Sequence, residues 1–364
     1  MRTAGILVVQ DSSYPCAQDS FSSTGLPFGN RNLAVLDVLG ESVLSRLICR
    51  LQRYGIGPVS VVSNNDLAHA PRLGWDASAA DLEYTPSADL WPSVERLLFE
   101  YAKQNVKVLV LIHVGPYAEL DYSDVLRFHR ASGKPVTVID DAEGPLHITV
   151  LDLTQPMECV DLLRDSWNGG LWDRNPSTAG RYMFDGYVNR LESAYDLRRL
   201  AKDALGRRCE MRPLGREVRP GVWLGPDARL DARARVLAPT FVGAHSRIRA
   251  AALVTRGSSI EHHCDVDCGT VIDDANVLPF SYLGPGLEVA HALVDGGRLL
   301  HLPHNLELEI SDHRLLGRLR SPNPILRLKN RVLAHMSSRA SREQFASTDS
   351  PEPASLHTAG EIAP

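Results

Sequence analysis

His113 is the polar side chain best placed for chemistry in the first half of the sequence. It directly follows the apolar run 108–112, which is typical of a buried strand. Ligands in open α/β sheets bind outside the carboxyl ends of the strands, and a histidine there can accept or donate a proton near neutral pH. His113 is therefore either a ligand-facing residue or a histidine that packs against the core.

A second group of reactive side chains lies in the segment His262-His263-Cys264-Asp265-Val266-Asp267-Cys268. Imidazole, thiolate and carboxylate groups are metal ligands, so this composition invites interpretation as a metal site. The six-residue repeat described below argues against it, because it directs Cys264 inward. The same repeat places the histidine pair at one solvent-facing corner and Cys268 at another. We therefore predict no metal site in this segment.

Histidines elsewhere in the second half offer a different chemistry. A histidine can act as the general base of an acyltransferase, where it removes a proton from the hydroxyl or amine of the substrate. His245 lies at a predicted corner, and His291, His301 and His304 cluster near the predicted last coil. No orienting partner is evident in the sequence, so surface or end-capping roles remain the alternative.

The elements that would position His113 follow from the apolar pattern of residues 1–212. Short apolar strands alternate there with amphipathic helices, which favours a largely parallel sheet covered on both faces. Strands are predicted at 6–9, 58–62, 106–112, 135–140 and 147–153, and helices at 41–54, 90–102, 121–131 and 193–205.

A six-residue repeat follows this region. A Leu, Ile or Val recurs at every sixth position, and such a repeat is typical of a β-helix in which three hexads close one coil. Coincidence is negligible, because these residue types make up roughly a quarter of an ordinary chain. The predicted interior residues, enough for between three and four coils, are Val218, Leu224, Leu230, Val236, Val242, Ile248, Val254, Ile260, Val266, Ile272 and Leu278.

These patterns divide the sequence into three parts. Residues 1–212 form the predicted α/β domain, residues 213–312 the β-helix, and residues 313–364 a tail. The apolar register ends after Leu278. The alternating segment 305–310 predicts an end strand that covers the last coil.

The tail and the overall composition limit the kinds of partner that the chain can bind. Residues 314–342 contain eight Lys or Arg and no Asp or Glu, so this basic amphipathic segment could contact an anionic membrane surface, an acidic partner or the β-helix. The net charge of −5 argues against nucleic acid as a partner. Six scattered cysteines without a CxxC, and no signal peptide or membrane-length apolar run, predict reduced thiols and a cytoplasmic location.

The order of an α/β domain and a hexapeptide β-helix resembles the sugar-1-phosphate nucleotidyltransferases, such as the mannose-1-phosphate guanylyltransferases. The resemblance covers roughly residues 4–312, and the β-helix is its most specific part. Segments 38–44, 109–129 and 186–197 are similar to family segments. The resemblance implies an α/β Rossmann-like nucleotidyltransferase domain followed by a left-handed parallel β-helix.

The catalytic pattern of that family is altered in this sequence. The family has a Gly-rich loop with an arginine after the first strand, a lysine further on, and two aspartates that hold Mg²⁺. Here Gln10 and Asp11 begin the loop without glycine, and Arg31 is the nearest substitute for the lysine charge. The two metal aspartates align with Gly115 and Arg190, and a cation at the second position would repel Mg²⁺.

Three functions therefore stay open. The first is a nucleotidyltransferase-like protein of a glycan, exopolysaccharide or nucleotide-sugar pathway, with lost or remodelled catalysis and a binding or regulatory role. The second is an active, Mg²⁺-dependent transferase, and the third is an acyltransferase. We expect a nucleotide sugar or nucleoside triphosphate as ligand, and a homo-oligomer or a partner enzyme. The candidate nucleotide- or sugar-binding residues are Gln10, Asp11, Arg31 and His113.

Overall fold

A computed structural model of the chain describes residues 2–10, 32–64, 80–85, 87, 89–169 and 179–319, with backbone only for 165–169. All of them belong to one compact unit, Met1–Arg320. Asp11 and Arg31, two of the predicted binding residues, lie outside the described residues. The predicted basic segment 314–342 is described only as far as residue 319.

The N-terminal part contains eleven described strands. They are β1 (Thr3–Val9), β2 (Asp37–Val38), β3 (Glu41–Ser42), β4 (Val59–Ser63), β5 (Asp81–Tyr84), β6 (Val108–His113), β7 (Tyr117–Ala118), β8 (Val136–Asp141), β9 (Gly144–Asp152), β10 (Ala179–Met183) and β11 (Val188–Asn189). Seven of them form one sheet in the order β10-β8-β9-β6-β1-β4-β5.

The sheet is mixed rather than wholly parallel. Strand β9 runs antiparallel to both of its neighbours, β6 and β8, while the other pairs are parallel. Only residues 142–143 connect β8 to β9. A parallel connection needs a crossover of a dozen residues or more, so this short turn forces the reversal.

Within the described residues, five α-helices cover the two faces of the sheet: α1 (Val43–Arg53), α2 (Trp91–Lys103), α3 (Tyr122–Ser132), α4 (Pro156–Gly169) and α5 (Ala194–Leu205). Helices α1, α3 and α5 contribute to one hydrophobic cluster, and α2 and α4 contribute to another. Four of the five helices were predicted. Ser193 caps α5 through a capping box with Asp196, which fixes where that helix begins.

The C-terminal part is built from seventeen short strands. They are β12 (Arg216–Arg219), β13 (Val222–Leu224), β14 (Arg229–Leu230), β15 (Arg235–Val236), β16 (Thr240–Val242), β17 (Arg247–Ile248), β18 (Leu253–Thr255), β19 (Ser259–Ile260), β20 (Asp265–Val266), β21 (Val271–Asp273), β22 (Asn276–Val277), β23 (Ser281–Leu283), β24 (Glu288–Ala290), β25 (Ala292–Asp295), β26 (Arg298–His301), β27 (Leu306–Glu309) and β28 (Leu316–Arg318).

From β13 onward the chain visits three sheets in turn, and each strand pairs in parallel with the third strand after it as far as β25. Stacked, mostly parallel strands of this kind are consistent with a β-helix. The spacing explains the six-residue repeat, because Arg235 pairs with Leu253 one coil later. The inner side chains of all three sheets form one hydrophobic cluster, so each coil is buried by its neighbours.

The limits of the predicted repeat were wrong at both ends. Val218 lies on β12, which is antiparallel, and its side chain is exposed. At the other end Val277 rather than Leu278 pairs with Ile260, because one edge of the coil is a residue shorter. The interior column therefore does not stop at residue 278. It continues through Leu283, Val289 and Val294, all of which are buried.

The predicted end strand was also wrong in its role. Strand β27 forms the outer edge of a sheet, and all four of its residues are exposed. Two other strands pair with the coils: β26 runs antiparallel to β25, and β28 runs antiparallel to β23 and buries Leu316 in the core. The alternation of apolar and polar residues cannot distinguish a strand that covers the coils from an exposed edge strand, because both show the same alternation.

A pair of leucines tests this revised register. Leu283→Ala removes a completely buried side chain, so we expect the free energy of unfolding to fall by about 2–5 kcal/mol. Leu306→Ala alters a side chain that is 49% exposed, and its effect should stay within about 0.5 kcal/mol. Urea denaturation of the two variants measures both values. Equal losses would contradict the register.

Candidate functional site

The carboxyl ends of β1 and β6 lie side by side. His113 pairs with Val8 in the parallel ladder, and exposed Gln10 follows directly after β1. The side chain of Asn32, the residue after Arg31, donates a hydrogen bond of 2.5 Å to the carbonyl of Val114. Two of the four predicted binding residues, Gln10 and His113, thus lie at one edge of the sheet, which we call the carboxyl edge.

His147 is a residue of this edge that sequence reasoning missed. Ile139 pairs with Ile148, but the next residue, Asp140, pairs with Pro145, so His147 lies in a β-bulge of β9. Its φ of +57° is in the left-handed region, which is uncommon for a residue with a side chain. β-Bulges change the direction of side chains and are frequent near functional sites. The sequence could not reveal this bulge, because the pattern of apolar residues does not encode its backbone geometry.

The two histidines of the edge are neutral at neutral pH. Burial, together with the nearby His147, lowers the pKa of His113 to about 3. Burial also lowers the pKa of His147 to about 4, with a contribution from the positive charge of Arg190. Neutral imidazoles can donate and accept hydrogen bonds, but they are weak bases and carry no charge to hold a phosphate.

Arg190 is the centre of a charge cluster at the same edge. Its guanidinium donates to the Asp141 carboxylate and, at 2.8 Å, to the carbonyl of Pro145. It also lies 3.6 Å from a carboxylate oxygen of Glu143. The arginine that replaces a metal-binding aspartate in the resemblance therefore lies among carboxylates and compensates their charge.

The carboxylates of the edge do not fit Mg²⁺. Besides the Asp141 pair, Asp140 lies 3.2 Å from Arg181. Mg²⁺ requires near-octahedral oxygen ligands, which these carboxylates could supply only by giving up their arginines. Glu119, close to Gly115 in the sequence, instead accepts a hydrogen bond of 2.8 Å from Tyr117. Among the described residues, no group of three or more His, Cys, Asp or Glu is arranged to hold a metal ion.

The histidine pair of the second half is not solvent-facing as predicted. His262 is only 1% exposed, and its Nε2 lies 3.0 Å from the Asp37 carboxylate. The prediction was wrong because it considered the coil alone, whereas the hairpin of β2 and β3 covers this corner. His263 stacks on Phe280 with ring centroids 4.9 Å apart. Cys264 is buried in the interior, as the repeat predicted.

Glu261, beside His262, binds the tip of that hairpin. Its two carboxylate oxygens accept hydrogen bonds from the backbone N–H groups of Leu39, at 2.8 Å, and Gly40, at 2.7 Å. Both turn residues have positive φ, which a two-residue turn of this type requires. Burial and the nearby Asp37 raise the pKa of Glu261 to about 8, although the hydrogen bonds from Leu39 and Gly40 act to lower it.

His291 has the orienting partner that the sequence could not show. Its Nδ1 lies 2.6 Å from the Asp274 carboxylate, and its side chain is 43% exposed. Asp274 also binds Arg198 and, at 2.8 Å, Lys202, both from α5. Burial acts to raise the pKa of Asp274, but the hydrogen bonds from Lys202, His291 and Arg198 hold it at about 2.

The remaining predicted histidines have no comparable partner geometry. His245 Nδ1 lies 3.5 Å from an Asp227 carboxylate oxygen, beyond good hydrogen-bond distance. His301 and His304 stack on each other with centroids 4.9 Å apart.

Comparisons with known proteins give no direct assignment of this site, because no protein-family model and no curated protein matches the chain. Within the described residues, no helix has the length and apolar character needed to span a membrane.

The buried Glu261 makes a prediction about pH. Its folded pKa of about 8 exceeds the ordinary glutamate value of 4.5, so the folded state binds more protons between these values and the contribution of Glu261 to stability falls as the pH rises through them. Between pH 6.5 and 8, the ionisation of Glu261 should lower the free energy of unfolding by up to about 1.4 kcal/mol per pH unit.

The Glu261→Gln variant supplies the comparison. It cannot ionise, so the contribution of Glu261 to the slope between pH 6.5 and 8 should be absent, and urea denaturation of both chains at four pH values measures the difference. The histidines with lowered pKa bind protons in the unfolded state near the ordinary histidine value of about 6.5 and so add a slope of opposite sign, but this slope is the same in both chains and cancels in the difference. A wild-type slope that persists unchanged in the variant would contradict the assignment.

Proposed function

We propose that this chain is a sugar-nucleotidyltransferase-like protein that binds a nucleotide sugar or nucleoside triphosphate at the carboxyl edge without Mg²⁺-dependent transfer. In this proposal the N-terminal part is a Rossmann-like nucleotidyltransferase domain and the stacked strands form a left-handed β-helix. The protein acts in the cytoplasm, with a binding or regulatory role in a glycan, exopolysaccharide or nucleotide-sugar pathway. A mixed α/β sheet followed by stacked parallel strands supports the architecture.

The observation that carries this proposal is the position of Arg190. Attack on a nucleotide α-phosphate develops negative charge, which transferases stabilise with a metal ion, cationic side chains and backbone donors. At this edge the carboxylates that would hold a metal bind Arg190 and Arg181 instead. The Arg190 guanidinium already donates to Asp141 and to a backbone carbonyl.

The remaining groups of the edge are suited to binding. His113 and His147 are neutral, so they recognise a ligand through hydrogen bonds rather than through charge. A hydrogen bond of this kind contributes about 0.5–1.5 kcal/mol, which is enough for selective binding and far too little for phosphoryl transfer.

Calorimetric titration with nucleotide sugars and nucleoside triphosphates, with Mg²⁺ or with a chelator, tests this function. We expect binding whose affinity is the same in both conditions and weaker by about threefold to tenfold in His113→Ala. His301→Ala, at the end of β26 in the C-terminal part, is the matched control. An active transferase would instead bind more tightly with Mg²⁺ and release pyrophosphate from a sugar-1-phosphate and a triphosphate.

The His291–Asp274 pair favours a second candidate function, acyl transfer at the stacked strands. The carboxylate orients the imidazole through Nδ1, and the other ring nitrogen is then available to remove a proton from an acceptor hydroxyl or amine. The negative charge of Asp274 is shared with Arg198 and Lys202, which weakens its support for a protonated His291.

Release of coenzyme A from acetyl-coenzyme A in the presence of amino sugars tests this candidate. If the chain is an acyltransferase, His291→Gln should lower the rate by 10²-fold or more, which is a typical contribution of a general base. His304→Gln should leave the rate unchanged. Absence of turnover by the wild-type chain would rule this candidate out for those substrates.

A further inference from the structure

The three outer faces of the stacked strands differ in what occupies them. The face formed by β13, β16, β19, β22 and β25 packs on the N-terminal part, since its outward Phe241 and Leu293 belong to that hydrophobic cluster. The face formed by β14, β17, β20 and β23 is polar and carries an internal ion pair. There Arg249 binds Asp265 at 2.8 Å, and Tyr282 donates to Asp267 at 2.8 Å.

The third face, formed by β15, β18, β21 and β24, has an apolar centre between two charges. The ladder aligns Arg235, Leu253, Val271 and Glu288 in one outward column, one residue from each coil. Arg235 and Glu288 are exposed, and neither forms an ion pair within the part of the chain that the structure describes. Asp273 on the same face forms an ion pair with Arg256 at 3.2 Å, whereas Arg235 and Glu288 have no such partner among the described residues.

A second column on the third face follows the same pattern. Thr255, Asp273 and Ala290 are in register on successive strands, and Leu237 precedes them on the first coil. Leu237 is 42% exposed. Leu237 lies at the same end of the face as Arg235, and Ala290 lies at the end that carries Glu288.

We propose that the third face is the contact surface of a two-fold symmetric dimer of this chain. An axis parallel to the strands and passing between β18 and β21 reverses the order of the coils. It brings Arg235 opposite Glu288 of the second copy and Leu253 opposite Val271. The second column becomes complementary as well, because Leu237 then faces Ala290 and Thr255 faces Asp273.

Charge complementarity selects a second copy as the occupant. Along the first column the residues are positive, apolar, apolar and negative. When a second copy meets this column in reverse order, each charge faces the opposite charge and each apolar residue faces an apolar residue. An isologous two-fold interface requires this self-complementarity. Adjacent strands are about 4.8 Å apart, so four strands give a column about 14 Å high with the charges at its two ends. Those ends are where rim charges select partners and suppress wrong registers. The inference does not depend on nucleotide binding.

Charge reversal of the full chain, followed by sedimentation equilibrium, tests the dimer. The wild type should show the mass of two chains, and Arg235→Glu or Glu288→Arg should each weaken dimerisation about tenfold or more, since like charges would face each other at both ends. The double variant Arg235→Glu/Glu288→Arg should restore it. Arg229→Glu, on the polar face, is the matched control and should dimerise like the wild type.

A cysteine pair tests the register directly. In a background with Cys49→Ser and Cys268→Ser, which removes the two described cysteines that are exposed, Leu253→Cys and Val271→Cys are placed on separately tagged chains. Oxidation should give a disulfide-linked dimer when the two chains are co-expressed and none when either is expressed alone. A wild-type chain that is monomeric, or a dimer that ignores the charge reversals and forms no mixed disulfide, would overturn the proposal.

Discussion

A buried carboxylate joins the two parts of the described chain. Glu261, on the stacked strands, accepts hydrogen bonds from the backbone of Leu39 and Gly40, at the tip of the hairpin that leads into α1. Without it, two buried N–H groups would have no acceptor, which costs more than the hydrogen bonds themselves are worth. A β-carbon on Gly40 would lie 2.9 Å from the Leu214 side chain, so the turn also fits closely against the segment between the parts.

A second polar contact fixes the same junction from the other side. Arg198 of α5 is buried, and its guanidinium donates to the Gly257 carbonyl and the Asn276 side chain at 2.8 Å each, and also to Asp274. Burying an arginine is costly unless its donors are satisfied, so this contact specifies one arrangement of α5 on the coils. The apolar contacts of Phe241 and Leu293 lie on the face between these two anchors.

The sequence predicted the stacked strands better than their ends. The six-residue period is a direct consequence of the coil, so it located most interior positions. It could not reveal the shortened edge at Val277, because the neighbouring Leu278 is also apolar and preserves the count. His262 was misplaced for a different reason: its burial comes from the β2–β3 hairpin, more than two hundred residues earlier, and no local pattern encodes such a contact.

At the carboxyl edge, the sequence predicted where His113 lies but not which groups surround it. His113 lies at the end of β6, where the strand pattern placed it. The position of His147 beside it depends on the β-bulge in β9, which the sequence pattern does not show. The alignment that put Arg190 in a metal position implied repulsion of Mg²⁺, and the structure adds that this arginine is bound by Asp141. The proposed site therefore has compensated charges and neutral imidazoles. Such a site should distinguish ligands by the hydrogen-bonding pattern of a base or sugar more than by the number of their phosphates.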